Sequence, residues 1–156
     1  MEFGMYLESP VGRLLLVEED GYLTYVSLHK EPSETMIFAE TPLLLETKQQ
    51  LEDYFIGKRK DFDLPMNPKG TQFQKKVWNA LMEIPYGKTV SYGEIAKIAG
   101  SPKGARAVGM ANHVNPIVVV VPCHRVIGSN GKLVGYGGGV DKKVYLLDLE
   151  ETHMDA

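Results

Sequence analysis

The sequence predicts an α+β protein: a small N-terminal α/β domain of antiparallel sheet plus helix, then a mainly helical domain containing a helix-turn-helix. Three observations carry this prediction. Two β-rich runs joined by a hairpin signal lie within the first thirty residues. Apolar residues at helical spacing take over after residue 70. Between them, Pro65-Met66-Asn67-Pro68-Lys69-Gly70 is dense in chain breakers and marks the boundary, giving domains 1–66 and 67–156. The 156 residues, 44% hydrophobic and 24% charged, suffice for a real core and exclude disordered, collagen-like and rod-like classes.

Residues 12–18 and 22–28 read as strands, with Asp20-Gly21 as the turn, and residues 3–7 as a third strand. Thr41 caps a helix with Pro42 at its first position and Gly57 just past its end. Leu44, Leu45, Leu51, Tyr54 and Phe55 form its apolar face. Asp61 to Leu64 reads as a last short strand. In the second domain, Phe73, Val77, Ala80, Leu81 and Ile84 predict a helix over 71–84, stopped by Pro85. Ser91 and Glu94 form a capping box that opens a short helix ending at Gly100. Ser101 then caps another, with Pro102 at its first position, running to about Asn112. Two short helices joined by this tight turn make a helix-turn-helix, and Lys103 and Arg106 stand near the end that faces a duplex. Ile117 to Val121 is a buried extended run, Gly128 to Gly139 contains a hairpin, and 140–150 is a closing helix with Val144, Leu146, Leu147 and Leu149.

The net charge of −3 conceals an asymmetry. Pro68 to Lys132 holds nine basic residues and two acidic ones, a net +7, while the remainder carries −10. A basic middle in an acidic chain fits a polyanion-facing surface and fits a solvated face equally well. No apolar run is long enough to cross a bilayer, and the N-terminus lacks the basic and apolar regions of a secretory signal. A single cysteine, Cys123, excludes an intrachain disulfide and a cysteine-rich zinc site and points to a reducing, cytoplasmic setting.

That cysteine is the centre of the chemistry. In Pro122-Cys123-His124-Arg125-Val126 it follows a buried run and is flanked by groups that favour a thiolate. A small buried hydrophobe also fits the residues. Adjacent residues in an extended chain point to opposite faces, so His124 reaches the thiol only if the segment turns or a water bridges them. His29, His113 and His153 sit in no recognisable catalytic context.

The stretch from Asn115-Pro116-Ile117 through Val121-Pro122-Cys123-His124-Arg125-Val126 resembles the active-site segment of the O6-alkylguanine-DNA alkyltransferases. So do Pro85-Tyr86-Gly87, Ser91-Tyr92, Ala105-Arg106-Ala107-Val108-Gly109 and Gly135-Tyr136-Gly137-Gly138-Gly139, and the likeness continues to Glu150. It covers about residues 70–150 with specific motifs; residues 1–66 match in size and pattern only. The resemblance implies a winged-helix-like second domain and a DNA-repair methyltransferase. Such a protein flips O6-alkylguanine, and O4-methylthymine, out of duplex DNA and moves the alkyl group irreversibly to Cys123.

It implies that His124 acts on the thiol through a water, that Glu150 orients His124, and that Asn115 is a hinge tying the helix-turn-helix to the active-site turn. Arg106 fills the gap left by the flipped base, and Tyr92 presses on a phosphate and donates to the guanine. Lys103, Ala105 and Arg125 join them as DNA-facing residues. Cys123 and Val126 backbone groups, Tyr136 and the Gly137 amide contact the base; Gly137 stands where the family often has Ser, which keeps a backbone donor. No cofactor, metal or membrane is implied, and the protein is expected to be a monomer that acts once, since no second cysteine can resolve the thioether. A DNA-binding lesion sensor and a cysteine hydrolase remain as alternatives, although sensors resembling this fold lack the cysteine.

Overall fold

The computed structural model describes residues 1–128, 131 and 139–154, which divide into two compact units. The first comprises Met1–Lys69 with Pro116–Val120; the second comprises Gly70–Asn115 and Val121–Asp155.

In the first unit, β1 (Glu2–Ser9), β2 (Gly12–Glu19), β3 (Tyr22–Ser27) and β4 (Ile37–Phe38) form one sheet in the order β3-β2-β1-β4. The β2–β3 turn places Asp20 at φ 55° and Gly21 at φ 82°. Positive φ at both central residues is the turn whose twist matches the strands. The helix α1 (Pro42–Phe55) starts where expected, with the Thr41 side chain accepting from the Leu44 amide. It ends with Gly57 in the left-handed region and the Lys58 amide bonded to the Asp53 carbonyl. Leu44, Leu51, Tyr54 and Phe55 are buried, whereas Leu45 points to solvent.

Residues 61–64 do not form the expected strand. The buried Gln50 side chain donates to the Asp63 carbonyl at 3.0 Å and accepts from its amide at 2.9 Å. A side chain therefore takes the backbone groups that a strand neighbour needs. In this unit the strand that sequence reasoning missed is β4, two residues long and parallel to β1.

The run Ile117–Val121 is buried apart from the half-buried Val118, but it is not simply extended. Ile117 bridges to Val26, whose amide donates to the Pro116 carbonyl and whose carbonyl accepts from the Val118 amide. Val119 then takes a left-handed φ of 72°, and tight turns follow: the Val120 amide bonds to Val118 and that of Cys123 to Val121. Such a φ is strained for a β-branched residue and holds only where the surroundings over-determine it.

The second unit contains α2 (Gln72–Leu81), β5 (Val90–Ser91), α3 (Tyr92–Ile98), α4 (Ala105–His113), a one-turn 3₁₀ helix (Cys123–Arg125), β6 (Val126–Ile127) and α5 (Val140–Thr152). The first helix is shorter than its apolar pattern suggests, and Ile84 is buried beyond its end. Thr71 and Gln74 close its N-terminus as a capping box. Trp78 lies in the core, and its indole donates to the Ala111 carbonyl at 2.9 Å. The Ser91–Glu94 capping box opens α3 as expected.

The turn to α4 differs from expectation. Ser101 does not cap α4; it closes α3, its amide bonded to the Ala96 carbonyl and that of Gly100 to Lys97, with Gly100 at φ 79°. This two-bond motif uses Ser101 as the second residue past the helix. Consequently the N-cap of α4 falls three residues late, at Gly104, without a side-chain cap. The closing helix α5 also turns an unexpected face inward. Lys143, Leu146 and Glu150 are its buried stripe, while Val144, Leu147 and Leu149 are half-buried. Among the described residues, no helix is long and apolar enough to cross a membrane.

Candidate active site

Cys123 opens the 3₁₀ turn, with the Arg125 amide closing it on the Pro122 carbonyl at 3.0 Å. This turn resolves the geometric difficulty of adjacent residues: Cys123, His124 and Arg125 are all buried. Two asparagines hold the segment. Asn115 Nδ2 donates to the Val121 carbonyl at 2.8 Å, and Asn112 Nδ2 to the Cys123 carbonyl at 3.3 Å. On the far side β6 pairs in parallel with β5, Val90 opposite Val126, which ties the turn to the start of α3.

Behind the turn stands Glu150, fully buried on α5. Its carboxylate lies 2.7 Å from His124 Nε2 and accepts from Arg125 Nε at 2.9 Å, Arg125 Nη2 at 3.0 Å and the Gly87 amide at 3.1 Å. Burial works to protonate Glu150, but His124 and Arg125 outweigh it and hold the acid well below its usual range. An ionised carboxylate only accepts, so the His124 Nε2 carries the hydrogen and Nδ1 is the basic nitrogen of the ring. Burial lowers the His124 pKa despite its acidic partner, so the ring rests neutral.

Burial also dominates the thiol, pushing the Cys123 pKa up to about 11. Hydrogen bonding from Asn115, the charge of Lys143 and backbone hydrogen bonds at Cys123 and His124 work in the opposite direction. The expectation that flanking His and Arg favour a resting thiolate is therefore corrected: His124 is neutral and Arg125 spends its charge on Glu150. The same finding corrects Arg125 as a DNA-facing residue. Its guanidinium is turned inward, chelated by Glu150 and donating from Nη1 to the Ile84 carbonyl at 2.7 Å.

Tyr92 is the first residue of α3 and is half-buried. Burial, then the nearby Cys123, raises its phenol pKa, so the phenol keeps its proton at neutral pH. Lys103, Ala105 and Arg106 are exposed around the start of α4, as is Met110 on the same helix. Tyr136 and Gly137 lie outside the described residues. Sequence reasoning missed Asn112 and Lys143. The i, i+3, i+7 spacing of Lys143, Leu146 and Glu150 would have placed the lysine beside Glu150 on one helix face.

The chain matches two family models in succession: the 6-O-methylguanine DNA methyltransferase, ribonuclease-like domain, over residues 3–68, and the 6-O-methylguanine DNA methyltransferase, DNA binding domain, over 72–152. The methylated-DNA–protein-cysteine methyltransferase of Methanosarcina acetivorans is 52% identical over 92% of this chain and 94% of its own. The constitutive enzyme of that name from Bacillus subtilis is 47% identical, covering 96% of both chains. The crystal structure of Mycobacterium tuberculosis OGT in complex with DNA superposes with a TM-score of 0.90 at 44% identity, covering 97% of this chain and 94% of that one. These matches make the protein a DNA-acting transferase, and the chain belongs to the 6-O-methylguanine DNA methyltransferase family. Its function is DNA repair by transfer of an alkyl group to a protein cysteine, and DNA is its partner.

Proposed function

We propose that the acceptor is Cys123 and that the donor is O6-alkylguanine, and also O4-methylthymine, flipped out of duplex DNA. The observation that supports this best is the linked set Cys123, His124 and Glu150, with the 2.7 Å His124–Glu150 contact, in the same unit as an exposed Arg106.

The thiol rests protonated, so sulfur becomes nucleophilic only as its proton leaves. The neutral His124 accepts that proton at Nδ1 through a bridging water, and Glu150 stabilises the imidazolium that results. Sulfur then bonds to the alkyl carbon as the carbon–O6 bond breaks, and the electron pair stays on guanine. Tyr92, still carrying its proton, donates a hydrogen bond to the leaving base. Asn115 fixes the turn through Val121, while the Cys123 and Val126 backbone and the Tyr136 and Gly137 segment take the base edge. Arg106 enters the stack and offsets part of the few kcal/mol of unstacking. Lys103 and Ala105 line the DNA-facing end of α4. The thioether has no resolving thiol in the sequence, so each molecule acts once. We place the protein as a monomer in the cytoplasm, where a free thiol persists.

Intact-mass analysis after incubation with duplex carrying O6-methylguanine tests this reading. One added CH₂, mapped to Cys123 and absent in Cys123→Ser, is expected. An unmodified thiol after complete loss of lesion would overturn it, and repeated turnover would assign a hydrolase instead.

A further inference from the structure

The helix α4 buries three side chains, Val108, Ala111 and Asn112. Two are apolar. The third is an amide, 1% exposed, and a buried amide is costly unless both of its ends are paired. Here one end is paired. Asn112 Nδ2 donates to the Cys123 carbonyl at 3.3 Å, whereas its Oδ1 is buried without a hydrogen-bond partner among the described residues. A carbonyl only accepts, so the nitrogen faces Cys123 and the oxygen is the end left over. The same amide meets Tyr92. Burial and then Cys123 raise the phenol pKa, and a side-chain hydrogen bond from Asn112 works to lower it. The orphaned oxygen therefore sits between the alkyl acceptor and the residue that donates to the leaving base.

We propose that Asn112 determines specificity for guanine: its Oδ1 accepts a hydrogen bond from the exocyclic amine of the extruded base, next to the Cys123 carbonyl that its Nδ2 holds. The inference rests on Cys123 as the acceptor and O6-alkylguanine as the donor. In O6-methylguanine the amine is the one N–H group of the base, since the ring nitrogens not bonded to the sugar only accept. O4-methylthymine has no N–H at all.

The amine brings two hydrogens into a corner where the other acceptors are already engaged. A carbonyl has two lone pairs, and those of Cys123 meet the Val126 amide and Asn112, so a further donor there must share. The Val126 carbonyl accepts from Lys143. Asn112 Oδ1 accepts from nothing and gains most when the amine arrives. The resting protein carries an unpaired acceptor, and a donor base relieves it. A base without the amine leaves the oxygen unpaired, which is how a buried polar group rejects an analogue that cannot pair with it.

The test deletes the amine from the base and the amide from the protein. Duplexes carry O6-methylguanine or O6-methylhypoxanthine, which differ only in that amine, and methyl transfer to Cys123 is timed in a single turnover. Wild type is expected to prefer the guanine duplex by about tenfold or more. Asn112→Leu and Asn112→Met are expected to lose about fivefold of that preference. The cost of flipping each base is common to all the proteins and cancels in the comparison, as does any general slowing from a loosened cysteine turn. Asn112→Met, unbranched and flexible, carries the measurement should the leucine variant fail to fold. An unchanged preference in the variants would overturn the proposal, since a residue that only ties α4 to the turn slows both substrates alike. Equal wild-type rates on the two duplexes would overturn it without any variant. Lesion consumed with no methyl on Cys123 would instead sink the assignment of the acceptor, and this inference with it.

Discussion

Glu150 grips Arg125 with both carboxylate oxygens, Nε on Oε1 at 2.9 Å and Nη2 on Oε2 at 3.0 Å, in a site shut off from solvent. Planar two-point pairing of this kind is strong and directional. It joins α5 to the residue two positions past the cysteine and, through Gly87, to the loop before β5. The acid that orients His124 is therefore also a structural keystone, and the two roles cannot be separated by deletion.

Glu150→Gln leaves the buried Arg125 charge without its counterion. A loss of about 3–5 kcal/mol is expected from removing one partner of such a pair. Denaturant unfolding at pH 7 measures it, and a loss below about 1 kcal/mol would refute the keystone role. Because the folded acid is held below its ordinary value of 4.5, its stabilisation is complete above that pH. It is lost as pH falls toward the folded value, and the variant should lack this acid limb.

Cys123 predicts the opposite limb. Its folded pKa of about 11 exceeds the ordinary 9.0, so its contribution is intact below pH 9 and disappears as pH rises through 11. Thermal melts across that window should show a decline that Cys123→Ser lessens. Identical alkaline melts for the two proteins would mean that the thiol ionises as it does in water.

Arg106→Ala should leave stability unchanged within about 0.5 kcal/mol, because the side chain is exposed. Repair in duplex should fall while reaction with free O6-benzylguanine persists. Equal losses on both substrates would contradict a role in the base stack. Duplex binding should weaken steeply with salt as phosphate contacts release counterions.

The turn of the helix-turn-helix separates two readings of Ser101. As the closing residue of α3 it contributes its amide, so Ser101→Ala should change stability by less than about 0.5 kcal/mol. As a helix cap its loss would remove about 1 kcal/mol. Gly100→Ala, at φ 79°, should instead destabilise by about 1 kcal/mol or more, with no steric clash to blame. Thermal unfolding of the two variants decides between the readings.

What was legible in the sequence was local. The Asp20-Gly21 hairpin, the Thr41 cap and the Ser91–Glu94 box each depend on residues within a few positions of one another, and each stands as read. What was not legible depended on distant partners. Gln50 claims the Asp63 backbone, β4 is fixed by β1, and Val119 is bent within a run whose apolar composition looks uniformly extended. Ser101 was ambiguous because one serine between two helices can close the first or open the second. In the site, motif resemblance points to Cys123, His124, Asn115 and Glu150, which lie together in one unit, whereas the inward turn of Arg125 depends on Glu150, twenty-five residues away in sequence. Apolar periodicity concealed Lys143, because the buried stripe of α5 is defined as much by two ionisable residues as by Leu146.

The depth of the sulfur has one more consequence. A reagent consumed by its first reaction must not be spent on the wrong partner. A thiol kept protonated and out of reach is slow toward peroxide, disulfides and stray electrophiles, all of which prefer exposed thiolates. Its shelf life in the cell is thus set by the same burial that delays its ionisation, and a variant that opened the site would be expected to squander its dose before meeting a lesion.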